Sequence, residues 1–289
     1  MGRRFDAIIR AGLVVDGSGS PGYVADLGIA ADRVAAIGAI DAASAPLELD
    51  ASGHVVAPGF IDVHTHDDRL LLSAPEMTPK VSQGVTTVVA GNCGISLAPM
   101  PGQIPSPPTP PLDLLDTAGD WFRFRSFGAY VEALQTQPAA VNAALLVGHT
   151  TLRVSSMPDL NRPARRAEVQ AMRAMVREAL QAGAIGVSTG LYYEPAAAAP
   201  TEEVIEVCQP LVELGGVYCT HMRNEAEAIM SALEESCSIG QSLRVPVVIS
   251  HHKLHGAPNH GRSAETLAFI TSRRREQSVG LDCYHYIAS

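Results

Sequence analysis

The sequence predicts an α/β protein, a parallel barrel preceded by a small all-β unit, and three observations carry that expectation. Seven short, apolar, β-rich runs recur between residues 60 and 286, and segments with helical periodicity separate several of them. Polar residues, histidines above all, collect at the C-terminal ends of these runs, the rim where parallel barrels build their sites. The chain has 289 residues, enough for one α/β barrel of about 250 residues and a small appendage.

Taken in order, residues 5–57 read as short strands separated by turns: "FDAIIRAGLVVDG", "ADLGIAADRVAAIG" and "LELDASGHVVAPG", punctuated by Asp-Arg, Gly and Ser-Gly. The expected division is therefore 1–57 for the all-β unit and 58–289 for the barrel. The barrel runs are "FIDVHTH", "TTVVAGN", "NAALLVGHT", "IGVSTGL", "VYCTHMR", "PVVISHH" and "VGLDCYHY". Between them, 167–184 and 201–216 space apolar residues at helical intervals, with Val204, Ile205, Val207, Cys208, Leu211 and Val212 on one stripe. Thr201 followed by Glu202 and Glu203 marks a helix start, and Leu214-Gly215-Gly216 a stop. Val81 to Leu112 carries no charge, but seven prolines from Pro99 to Pro111 exclude a membrane-spanning helix and predict a buried strand followed by a proline-rich loop.

Charge and composition narrow the partners. A net charge of −9 argues against a nucleic-acid surface and favours a small molecule. The N-terminus has two arginines but no uninterrupted apolar core of about seven residues, so no secretory signal is read there and a cytoplasmic protein is expected. Five cysteines, at 93, 208, 219, 237 and 283, form an odd and scattered set that suits reduced thiols better than a disulfide framework. Cys208, Cys219, Cys237 and Cys283 read as structural residues, and His54 and His260 as solvated loop residues.

Six of the ten histidines fall at strand ends: 64, 66, 149, 221, 251 and 252. Asn92, Cys93, Ser188, Thr189, Arg223 and Tyr284 join them there. His64 and His66 are two apart on a strand, so both imidazoles project to one side as a handle for a divalent metal. His251 and His252 are adjacent, so only one of them points inward on a regular strand. With His221 this makes four imidazoles from three strands, a donor set suited to zinc, which also accepts a thiolate. Cys93, between Asn92 and Gly94 at a strand end, is the thiolate candidate.

"PGFIDVHTHDD", "TPKVSQGVTTVVAGNCGISLAP", "VNAALLVGH", "GAIGVSTG", "THMRNE" and "VPVVISHHK", in that order, resemble the D-aminoacylases, the N-acyl-D-amino-acid deacylases of the amidohydrolase superfamily. The resemblance implies a zinc enzyme with a (β/α)8 barrel and a small β-sandwich formed from both chain ends, of which 1–57 is the N-terminal part, hydrolysing the amide of an N-acyl-D-amino acid. It implies Cys93, His221 and His251 as tight metal ligands and His64 and His66 as a weaker second position sharing the thiolate. Lys253 and Tyr284 match positions that hold the substrate carboxylate, and Tyr192 a position lining the side-chain pocket. Relatives outside this family bridge two metals with a carboxylated lysine from the fourth strand; "AIGVSTG" has no lysine, which leaves Cys93 as the bridge. The family's proton carrier is an aspartate at the end of the eighth strand. The chain ends after the seventh, so the expectation is an incomplete barrel of about seven strands, inactive or nearly so on its own and prone to association through its open edge. The competing readings are an amidohydrolase of cyclic amides or dipeptides and a non-catalytic zinc-binding module.

Overall fold

In the computed structural model, which describes residues 5–40, 45–102 and 106–284, the chain divides into two units, Met1–Phe60 and Ile61–Ser289. The first holds strands β1 (Ala7–Val14), β2 (Tyr23–Ala30), β3 (Arg33–Gly38), β4 (Leu47–Asp50) and β5 (Val55–Val56). β1 pairs antiparallel with β2 and β2 with β3, while β4 and β5 run parallel to β1. Phe5, Ile8 and Ile40 form the buried cluster of this unit. Gly28 is required there because a Cβ would occupy the space of the Phe5 ring. Among the described residues these strands make a single five-stranded sheet, in keeping with the N-terminal portion of a small sandwich.

The second unit carries a seven-stranded sheet whose spatial order follows the chain: β6 (Phe60–Asp62), β7 (Val85–Ala90), β8 (Asn142–Gly148), β9 (Gly186–Gly190), β10 (Val217–His221), β11 (Val247–Ile249) and β12 (Val279–Leu281). β7 to β12 pair in parallel. Sequential strands that neighbour one another in parallel need a crossover each time, which the intervening helices provide. The inner strands are covered on both faces, and all five residues of β9 are buried. β6 and β12 are the ends of the sheet.

Helix Arg166–Gln181 shows how local sequence sets an element. The Glu168 carboxylate accepts the Arg165 N–H at 2.7 Å, closing the first turn, and Val169, Met172, Val176 and Ala179 form its buried stripe at intervals of three and four. The periodic stretch 201–216 is two helices instead of one, Thr201–Val207 and Pro210–Leu214. Pro210 has no N–H to continue the ladder, so the stripe breaks: Val204, Val207, Cys208 and Leu211 are buried, whereas Val212 turns out to solvent. Gly215, at φ +77°, ends the second helix as the Gly-Gly pair predicted. Residues 91–100, the start of the proline-rich loop, are all buried. No described helix is long and apolar enough to cross a membrane.

Candidate metal centre

The C-terminal strand ends of the second unit place the site. His64 and His66 lie just beyond β6, in a segment held by Lys80, which pairs with Asp62 at 2.7 Å and Asp67 at 3.0 Å. The Thr65 N–H donates to the Val89 carbonyl at 3.1 Å and ties this segment to β7. Cys93 follows β7 in the left-handed region, at φ +53°, between Gly91 at +83° and Gly94 at +77°. Such a conformation is costly for a residue with a side chain and persists only when its surroundings enforce it. Here the Gly94 N–H donates to Ser188 Oγ at 3.0 Å, and Ser188 donates to the Gly91 carbonyl, so β9 clamps the turn from both sides. His221 is the last residue of β10. His251, just past β11, is also left-handed, at φ +35°, and its N–H donates to Asp282 Oδ1 at 2.7 Å.

These segments converge. Cys93 Sγ lies 3.2 Å from His64 Nε2 and 3.4 Å from His251 Nε2. The rings of His221 and His251 meet edge to face with centroids 4.3 Å apart, and His66 stands 5.7 Å from His64. Among the described residues, two sets have donor atoms within 4.8 Å of one another: His64, Cys93 and His251, and His221, Glu225 and His251. His66 belongs to neither. His252, by contrast, turns away, with Nε2 2.9 Å from Thr266 Oγ1.

Burial shapes the electrostatics. It pushes the Cys93 thiol far above its ordinary range, and the Asp282 and Glu225 carboxylates add to the effect. Burial, then the neighbouring imidazoles, lowers His66 to about 4 and His221 to about 3. Burial would lift Glu225, but contacts with His251, His221 and Lys253 outweigh it and hold that carboxylate at about 2. His66 and His221 are therefore in the form that offers lone pairs, beside a thiol that needs a cation to ionise.

The donor set fits a zinc-type ion. Zn–S and Zn–N bonds of about 2.3 and 2.05 Å at a tetrahedral angle separate sulfur and nitrogen by about 3.6 Å, close to the 3.2 and 3.4 Å found here. Among the described residues, His66 Nδ1 and both His221 nitrogens are buried without a hydrogen-bond partner. Orphaned buried imidazole nitrogens are costly unless something binds them.

The other candidates divide in two. A cleft of about 420 Å³ is lined by His64, His66, His251, Asp282 and Tyr284. Tyr284 stands with its ring 6.4 Å from that of His251 and 5.5 Å from Lys253 Nζ. Tyr192 stacks on His221 at 5.5 Å with its own ring exposed, and Tyr193 approaches the same imidazole at 4.7 Å. Lys253 Nζ sits 2.6 Å from Glu225 Oε2, so its charge already has a partner. Asn92, His149, Thr189 and Arg223 do structural work. Arg223, for instance, binds Glu235 and the carbonyls of Ala197 and Ala199, and His149 lies 3.6 Å from Glu203 in a buried network with Arg153. All five cysteines are free, and Cys208, Cys219 and Cys237 are buried; Cys283 is exposed just beyond β12, contrary to its structural reading. His54 and His260 are exposed, and His285 lies outside the described residues.

Two site carboxylates escaped the reading of the sequence. Asp282 Oδ1 is 3.2 Å from His64 Nδ1 as well as accepting the His251 N–H. Glu225 faces His221, His251, Lys253 and His255. The available signal was position: Asp282 lies within the seventh run, "VGLDCYHY", and Glu225 stands four residues after His221 in "THMRNE".

Fold and site together define a class: an α/β protein of sequentially ordered parallel strands with imidazole and thiol donors at metal-binding separations on the C-terminal rim. The chain belongs to the amidohydrolase family, whose family model matches residues 47–255. It is 57% identical to D-aminoacylase of Alcaligenes xylosoxydans xylosoxydans over 284 residues, which is 98% of this chain and 58% of that relative. A solved D-aminoacylase with a binuclear metal center superposes with a TM-score of 0.94 at 57% identity, over 98% of this chain and 59% of that one. The N-acyl-D-glutamate deacylase of Bordetella bronchiseptica, solved with zinc and a phosphonate inhibitor that mimics the tetrahedral intermediate, gives 0.90 at 43% identity, over 98% and 59%. The chain thus spans somewhat more than half the length of these relatives.

Proposed function

We propose that the protein to which this chain belongs is a zinc-dependent N-acyl-D-amino-acid deacylase, releasing a carboxylate and a D-amino acid. The observation that carries the proposal is the Cys93 thiol set between His64 Nε2 and His251 Nε2 at ligand-to-ligand distances, with the His221 ring against that of His251. Cys93, His221 and His251 would hold the tighter metal, and His64 and His66 a weaker one sharing the thiolate. Bound zinc supplies a water activated near neutral pH and polarises the amide carbonyl.

The chain's own residues do the remainder. Tyr284, which lines the cleft, and Lys253, whose Nζ stands 5.5 Å from the Tyr284 ring, receive the substrate carboxylate, Lys253 by turning part of its hydrogen bonding from Glu225 to the ligand. Tyr192, exposed beside His221, forms a wall for the substrate side chain. Asp282 fixes His64 Nδ1 and the His251 backbone, holding the first and sixth strand ends at one spacing. A cytoplasmic setting completes the proposal, supported by five free cysteines.

The test is turnover by the full-length protein of N-acetyl-D-methionine, its L-isomer and a hydantoin, with and without zinc. D-selective, zinc-dependent release of methionine is the expected result. Hydantoin opening without deacylation would instead favour the cyclic-amide reading, and zinc binding without any turnover the non-catalytic one.

A further inference from the structure

Glu225 is only 4% exposed, yet it meets four cationic or cation-forming partners, the most distant being His221 Nε2 at 3.8 Å from Oε2. Its Oε2 is 2.6 Å from Lys253 Nζ and 3.3 Å from His255 Nε2, and its Oε1 is 3.1 Å from His251 Nδ1. His251 is addressed on both sides: Nδ1 faces Glu225, and Nε2 faces Cys93 at 3.4 Å. An imidazole that offers one nitrogen to a metal carries its proton on the other, and that proton needs an acceptor. Lys253 Nζ, 3.0 Å from the same Nδ1, is itself a donor and cannot serve. Glu225 Oε1 can. It has no aligned hydrogen-bond partner among the described residues, so a small rotation of ring or carboxylate satisfies both groups at once.

Charge leads to the same residue. Lys253 is 18% exposed, and an ammonium so close to His251 would repel a divalent cation on the far side of that ring unless it were neutralised. Direct ligation by Glu225 beside Cys93 is disfavoured, because the carboxylate meets the ring nitrogen that faces away from the sulfur.

We infer that Glu225 is a positioning residue, which accepts the Nδ1 proton of His251 to aim Nε2 at the Cys93 metal position and neutralises Lys253 beside it. The inference rests on the zinc reading proposed above. Its test compares wild type, Glu225→Gln, Glu225→Asp and the double variant Glu225→Gln with Lys253→Met, all in the full-length protein. Zinc affinity is read by competition with a chromophoric chelator, and coordination by the d–d spectrum of the cobalt-substituted protein. Glu225→Gln preserves the shape and loses the charge, so zinc binding is expected to weaken about 10–100-fold, with partial recovery in Glu225→Asp and the wild-type cobalt band unchanged.

The double variant carries no uncompensated charge, so it keeps the test open if the single variant does not fold. It too is expected to bind zinc more weakly than wild type, because the neutral amide oxygen introduced by Glu225→Gln accepts the His251 Nδ1 proton in a weaker hydrogen bond than the charge-assisted one of the carboxylate. Wild-type zinc affinity in Glu225→Gln or in the double variant would overturn the positioning role, as would a changed coordination band, which would make Glu225 a ligand. A wild-type protein without zinc affinity would overturn the zinc reading and this inference together; an unaffected variant beside a zinc-binding wild type overturns only the role of Glu225.

Discussion

Cys93 is where sequence and chemistry are most tightly joined. A buried thiol far above its ordinary pKa range is a poor ligand until a cation stabilises the thiolate, and in the proposed centre that cation would sit between the thiol and two imidazole nitrogens that lie 3.2 and 3.4 Å from it. Cys93→Ala should therefore lose more zinc affinity than the about 10–100-fold typical of an outer-shell partner, as measured by metal analysis after dialysis. Glu168 illustrates a different residue-scale effect, remote from the site. The Arg162 guanidinium, first, and then the Arg165 N–H hold its carboxyl at about 2, below its ordinary 4.5. A carboxylate depressed in the folded state contributes stability that is fully present above about pH 4.5 and is lost as pH falls toward 2. Glu168→Gln should accordingly be less stable than wild type at pH 7, and the gap in denaturant midpoint should close through that window.

At the scale of elements, β9 acts as the floor on which the Cys93 turn rests. Gly190 ends that strand, and a Cβ there would run into the Cys93 carbonyl; Gly94 likewise leaves room for the Gly190 N–H and Thr189 backbone. Gly190→Ala should cost about 1–3 kcal/mol through overpacking, and should also weaken zinc binding because the obstructing atom is the backbone of Cys93, a proposed ligand. Urea unfolding and metal titration of the same variant test the two halves; a loss of stability with wild-type zinc affinity would show that the turn tolerates the shift. Helix packing follows simpler rules. The stripe of Arg166–Gln181 was legible from its spacing, whereas the break at Pro210 shows a proline overriding a periodic pattern that read as continuous.

For the whole molecule, the centre links units of structure far apart in sequence: His64 and His251 are joined through Cys93 and Asp282 across four strand ends. A ligand that binds only this folded arrangement stabilises it by mass action, by about 2.7 kcal/mol at a hundred times its Kd. Dialysis of the full-length protein against a strong chelator should lower its Tm, and zinc should restore it more effectively than magnesium, which prefers oxygen ligands. Equal recovery with magnesium would point away from a thiolate and imidazole centre.

Strand succession, the histidine-bearing rim and the peculiarity of "GNCGIS" were open to inspection in the sequence, because alternation of apolar runs with helices and the placement of polar residues at run ends are local patterns. The choice between His251 and His252 was left open by adjacency alone, and the backbone settles which of them faces Cys93, through the left-handed turn at His251 and the bond of His252 to Thr266. Glu225 and Asp282 looked like ordinary acidic residues in one dimension. Only tertiary structure brings them against the imidazoles, because their partners lie on other strands and a buried charge is recognisable only once the groups that compensate it are in place.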